Sequence, residues 1–61
     1  MNEYLVTAQG YPKNDQYKQT ILLHDTFIAK DENHAKELFN RKFEDEHKIV
    51  KIYSAQDVTN T

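Results

Sequence analysis

The chain reads as an α+β domain of order strand–strand–helix–strand, with a three-stranded antiparallel sheet and one helix on one of its faces. Three observations predict this. Two segments rich in strand formers, Glu3 to Gln9 and Thr20 to Lys30, precede one stretch with helical spacing of its apolar residues, and a third strand-like run, Lys48 to Ala55, follows it. With 61 residues there is material for one domain, here 1–61, and only one small core. No cysteine is present, so neither a disulfide nor a thiolate metal site can supplement that core.

The first strand, E-Y-L-V-T-A-Q, is expected to close at Gly10. Tyr11 to Gln19 holds Pro12, Asn14 and Asp15, the residues of turns, and is longer than the usual two to five residues of a hairpin loop. The expectation is a mobile loop, or one ordered by a partner. In the second strand, alternation places Ile21, Leu23, Asp25, Phe27 and Ala29 on one face. A carboxylate is out of place there, which predicts a bulge or break at His24-Asp25.

Asp31 has the character of a helix N-cap, and Ala35, Leu38, Phe39 and Phe43 form one apolar stripe over residues 32–44. Acidic Asp31 and Glu32 at the start, basic Arg41 and Lys42 at the end, and the i,i+4 pair Glu37–Arg41 all agree with the helix dipole. Residues 44–47 form a polar exit, and the tail from Gln56 to Thr61 is expected to fray.

The hairpin sets the first two strands antiparallel, and the helix returns the chain so that strand three pairs with strand one. The sheet order is then 2-1-3. Unbroken alternation assigns Tyr4, Val6, Ala8, Phe27, Ala29, Val50 and Ile52 to the helix side. It assigns Leu5, Thr7, Gln9, Leu22, Ile28, Ile49, Lys51 and Tyr53 to the outer side. One helix cannot cover both faces, so Leu5, Leu22, Ile28, Ile49 and Tyr53 should share an exposed patch of the kind that marks an interaction site.

Charge narrows the function classes. Ten acidic and eight basic side chains give a net charge of −2. That lacks the basic excess of most nucleic-acid binders and the extreme acidity of a nucleic-acid mimic, which leaves protein partners as the default. The longest apolar run, Ile21-Leu22-Leu23, is far short of a membrane span, and Met1-Asn2-Glu3-Tyr4-Leu5 has no signal-peptide pattern, so a cytoplasmic location is expected.

Catalytic chemistry has little to stand on. His24 with Asp25 and Glu44 with His47 lack the ligand number and spacing of a zinc site. Ser54 is the only serine and has no flanking nucleophile pattern, and a lone Gly10 cannot build a phosphate loop. The expectation is no enzyme, no metal and no cofactor. Tyr11, Lys13, Tyr17 and Lys18 mix aromatic and basic groups on the first loop, and Lys51 with Tyr53 repeats the pairing on the sheet. Stacking plus charge is how single strands of nucleic acid are held, so direct contact with RNA is the alternative.

The stretch from Phe27 to Tyr53 resembles two known groups. Tyr4-Leu5-Val6, Ala35-Lys36 and Val50-Lys51-Ile52 match the outline of small phage-encoded anti-CRISPR inhibitors. That resemblance implies a stoichiometric inhibitor in the host cytoplasm, covering a surface of a host protein or ribonucleoprotein complex. The sequence departs from some of those inhibitors in having no further strand after Ala55. His47-Lys48-Ile49-Val50-Lys51-Ile52 resembles the basic segment after the helix in archaeal ribosomal protein LX and related domains. This second likeness implies an RNA-associated module with Lys48 and Lys51 as contacts, although that family is strongly basic and this chain is not. A homodimer is the third arrangement the open face would allow. The expected partner-binding set is therefore Leu5, Leu22, Ile28, Ile49, Lys51 and Tyr53 on the sheet, with Tyr11, Lys13, Tyr17, Lys18 and Lys48 around it.

Overall fold

A computed structural model of the protein describes residues 1–59. It contains β1 (Asn2–Pro12), β2 (Ile21–Ala29), α1 (Glu32–Phe43) and β3 (His47–Asp57). The sheet has the order β2-β1-β3, with both pairings antiparallel, as the sequence predicts. No helix among the described residues is long and apolar enough to cross a membrane.

The core lies between the sheet and α1. Tyr4, Val6, Ala8, Leu23, Ala29, Ala35, Phe39 and Ala55 are buried, and Val6 and Phe39 are the largest side chains with no exposure at all. Phe39 meets Phe27 edge-on at 6.2 Å and Phe43 at 4.5 Å, so the aromatic residues of helix and sheet form one row. Truncating such a ring costs about 3–5 kcal/mol. A core of this size rarely supplies more than about 3–5 kcal/mol in all, so loss of the Phe39 ring is comparable to the whole margin such a core provides.

The helix begins as its sequence dictates. Asp31 is the N-cap, and its carboxylate accepts from the His34 N–H at 2.8 Å. His34 answers by accepting from the Lys30 N–H through Nδ1 at 3.0 Å, so two backbone donors near the helix start are satisfied reciprocally. The Glu37–Arg41 pair closes at 2.7 Å on the exposed face.

Four expectations need correction. The first concerns Gly10, which does not end β1; the strand runs on to Pro12 and includes Tyr11. Gly10 is instead a point of close approach. A Cβ there would sit 2.6 Å from the Lys48 carbonyl oxygen and 3.0 Å from Leu23 Cδ1. The second concerns the loop, which spans 13–20 rather than 11–19 and folds back on its own residues. Asp15 accepts from the Tyr17 N–H at 3.0 Å and from the Gln19 N–H at 3.3 Å, and its carbonyl accepts from the Lys18 N–H. Lys18 takes a positive φ of 53° to close this turn.

The third correction moves the irregularity from β2 to β3. The β1–β2 register is unbroken from Asn2↔Ala29 to Gly10↔Ile21, straight through His24 and Asp25. The β1–β3 register slips twice, between Thr7/Ala8 and between Gln9/Gly10. Each slip places an extra residue in β3, so the positions packed on the core side become Ile49, Ile52 and Ala55 at intervals of three rather than two. Ile49 therefore turns inward against the core, while Val50 is 54% exposed. Ile49 thus lies opposite to the side that unbroken alternation gives it, and Val50, the extra residue at one slip, is not packed beneath the helix. The fourth correction is at the tail. Gln56 and Asp57 belong to β3, the Val58 N–H donates to the Glu3 carbonyl at 2.8 Å, and Thr59 Oγ1 accepts from the Glu3 N–H. Of the expected frayed segment, Asn60 and Thr61 lie outside the described residues.

Asp25 does face the helix side, and the structure shows how a carboxylate is accommodated there. It is only half-buried, it pairs with Lys42 from the helix, and it accepts from the Thr26 N–H at 2.8 Å. The Lys42 ammonium also stands 5.9 Å from the centroids of Phe27 and Phe43. The Lys42 hydrogen bond chiefly, with help from the Thr26 N–H, holds the Asp25 pKa below its ordinary value against an opposing effect of burial.

Gly10→Ala forces the Lys48 backbone away, and overpacking costs of about 1–3 kcal/mol outweigh the roughly 0.4–1 kcal/mol gained by stiffening the unfolded chain. Urea denaturation should show the variant clearly less stable than the parent. For Asp25, a depressed folded-state pKa means that its contribution is complete above about pH 4 and disappears as pH falls through the lower folded value. Lys42→Met should therefore be less stable than the parent at pH 6, by on the order of 0.5 kcal/mol for so exposed a pair. The gap should close below pH 4, as thermal melts across that range will show.

Candidate functional site: the open face of the sheet

Among the described residues, no element covers the face of the sheet turned away from α1. In β2 it presents Leu22, His24, Thr26 and Ile28, which alternate with the core-side residues. In β1 it presents Glu3, Leu5, Thr7, Gln9 and Tyr11. Register then brings Gln56 beside Leu5, Ser54 beside Thr7, Lys51 beside Gln9 and Lys48 beside Tyr11.

Three large side chains on this surface are more than half exposed: Leu22 at 62%, Ile28 at 60% and Tyr53 at 52%. Leu5 lies between the strands and is half-buried. The bulge opposite Thr7/Ala8 sets Tyr53 over the face, where its hydroxyl donates to Gln9 Oε1 at 2.8 Å. Gln9 Nε2 in turn donates to Thr20 Oγ1 at 2.8 Å. A hydrogen-bonded line thus runs from β3 across the central strand to the start of β2, and it fixes the Tyr53 ring in place. The Lys51 ammonium stands 5.5 Å from the centroid of that ring, a cation–π arrangement.

The face has a polar end and an apolar end. Tyr11, Lys48, Gln9, Lys51 and Tyr53 gather where β1 runs out toward loop 13–20, with Leu22 beside Gln9. Leu5 and Ile28 lie toward the other end, next to Glu3. Lysines outnumber acids on this face, because Glu3 is the only carboxylate among the described strand residues that point outward.

Of the residues expected to bind, Leu5, Leu22, Ile28, Lys51, Tyr53, Tyr11 and Lys48 meet on this one surface. Ile49 does not; it belongs to the core side. Lys13, Tyr17 and Lys18 are exposed on loop 13–20, and Tyr17 projects with 75% exposure. Lys13 is tied by its backbone N–H to the Glu46 carbonyl at 2.9 Å, toward the helix exit rather than the sheet face. The expected binding set omits Gln9 and Thr20, whose value lies in a cross-strand contact visible only once register is known.

One open depression is lined by Pro12, Lys13, Asn14, Asp45, Glu46 and His47. His47 packs edge-on to Phe43 at 5.8 Å, and its Nδ1 is buried with no hydrogen-bond partner among the described residues. No group of three or more His, Asp or Glu side chains among the described residues is placed to hold a metal ion. Neither His24–Asp25 nor Glu44–His47 gathers a third ligand among the described residues, and Asp25 is already engaged by Lys42. Ser54 lies exposed in β3 opposite Thr7, with no histidine directly across from it in β1.

Comparison with protein families, with characterised proteins and with solved structures returned no match for this chain.

Proposed function

We propose that this chain is a non-enzymatic binding module that docks the open face of its sheet on a partner protein and acts by masking the surface it covers. The observation that carries this reading is the exposure of Leu22, Ile28 and Tyr53 on one face of a very small chain, with Leu5 between them and Lys48 and Lys51 at the rim. Apolar area of this kind is favourable to cover, and an aromatic ring held rigid before contact loses little entropy on binding. Tyr53 is fixed in that way by Gln9 and Lys51. Aromatic anchors among aliphatic neighbours, with charge kept to the edge, are the usual anatomy of an energetic centre in an interface.

The resemblance of Tyr4-Leu5-Val6, Ala35-Lys36 and Val50-Lys51-Ile52 to small phage-encoded inhibitors gives this module a setting. In it, the masked surface belongs to a host defence or nucleic-acid-handling complex. A second reading draws on the cluster of Tyr11, Tyr53, Lys48 and Lys51 at one end of the face, which suits a short stretch of single-stranded RNA. Binding of that kind weakens steeply with added salt, whereas docking through aliphatic anchors does not.

The test is a pull-down from a host lysate with the parent, Tyr53→Ala and Ile28→Lys, each first shown to be folded by circular dichroism. The parent should retain a protein partner that both variants lose, with affinity reduced at least about tenfold for Tyr53→Ala. A partner held equally by all three would remove the open face from the interface. Salt-sensitive retention of RNA without protein would favour the second reading.

A further inference from the structure

We propose that the free edge of β2 is a pairing surface for a second copy of this chain, and that the Asp25 carboxylate holds it shut. The hydrogen-bond directions along the strands are fixed by two observations. Glu3 uses both its N–H and its carbonyl toward the β3 side, through Thr59 and Val58. Backbone groups in a strand alternate in direction, so Tyr4, Val6, Ala8 and Gly10 turn theirs toward β2. Their register partners Phe27, Asp25, Leu23 and Ile21 are then spent on β1, and the backbone groups of Leu22, His24, Thr26 and Ile28 point outward. The Thr26 N–H agrees with this direction, since it donates to Asp25 Oδ1.

This edge is unusual in its regularity. It is straight, without a bulge, and contains neither proline nor lysine from Ile21 to Ala29. The other edge, along β3, carries two bulges and Lys48 and Lys51, devices that discourage strand pairing. The β2 edge is also self-complementary. A two-fold axis through Asp25 pairs Leu22 with the second copy's Ile28 and Ile28 with its Leu22, joining the exposed aliphatic residues of both open faces. It pairs His24 with Thr26, and it uses every outward backbone group of the four edge residues.

That same axis brings the two Asp25 side chains opposite one another on the helix side, where like charges are destabilising. Each carboxylate also occupies the Thr26 N–H that the second copy would need. Lys42 holds Asp25 in this position. The acid that looks misplaced in the sequence is thus the one feature that keeps an otherwise well-suited edge from pairing. This inference concerns the strand edge and stands independently of what the open face binds.

Sedimentation velocity over a concentration series tests it, on the parent, Asp25→Thr, Asp25→Asn and the double variant Asp25→Thr with Leu22→Lys, with circular dichroism to confirm folding. The parent should remain a monomer. Asp25→Thr should pair at least about tenfold more tightly than the parent, and the added Leu22→Lys should reverse it. Asp25→Asn keeps the shape and the acceptor but not the charge, and should pair to an intermediate degree; should Asp25→Thr fail to fold, the behaviour of Asp25→Asn decides the matter. Folded variants that stay monomeric throughout, a parent that already pairs, or pairing that ignores Leu22→Lys would each overturn the proposal.

Discussion

A helix of twelve residues can shield one side of a three-stranded sheet and no more. That geometric limit governs most of what this molecule shows. Phe39 and its aromatic neighbours reach across from the helix to seal the core against Val6 and Ala8 on the central strand. Everything on the reverse of the sheet must then live with water or be covered from outside. Thr7, Ser54 and Gln56 do the former, while Leu22, Ile28 and Tyr53 are poorly suited to it.

The central strand makes the limit tolerable. β1 is paired on both sides, so its backbone is satisfied without help from side chains, and its core-side positions can be small enough to let the helix approach. Ala8 and Gly10 follow Val6 along that face, and Gly10 lets the Lys48 carbonyl come close where a larger residue would not. The outer strands carry the adjustments: two bulges in β3, and a charge at the margin of β2.

Sequence alone reveals the parts of this fold that rest on simple periodicity. The helix is plain from Ala35, Leu38, Phe39 and Phe43, and its start from Asp31. The sheet order follows from how a short helix must return the chain. Tyr4, Val6 and Ala8 sort correctly because β1 alternates without interruption. Ile49 and Val50 sort wrongly because β3 does not, and a bulge leaves no mark in the sequence beyond core residues three apart, as in Ile49, Ile52 and Ala55. Gly10 reads as a stop because glycine more often serves a turn than a close approach. Asp25 signals an irregularity, but the physical answer is an ion pair from the helix, which needs Lys42 to be placed in space before it can be seen. Most of the open face is legible for the same reason as β1: Leu5, Leu22 and Ile28 lie on strands that keep an even beat.

The bond between Val58 and Glu3 has a mechanical consequence. It places the beginning of β1 beside the end of β3, with the two strands antiparallel from there onward. Tension applied to the two ends would load the rungs between these strands one after another, as in opening a zip, and would not spread over the whole ladder at once. A sheet threaded this way yields at low force even when it resists denaturant well, so it would open readily to machinery that grips a terminus and pulls.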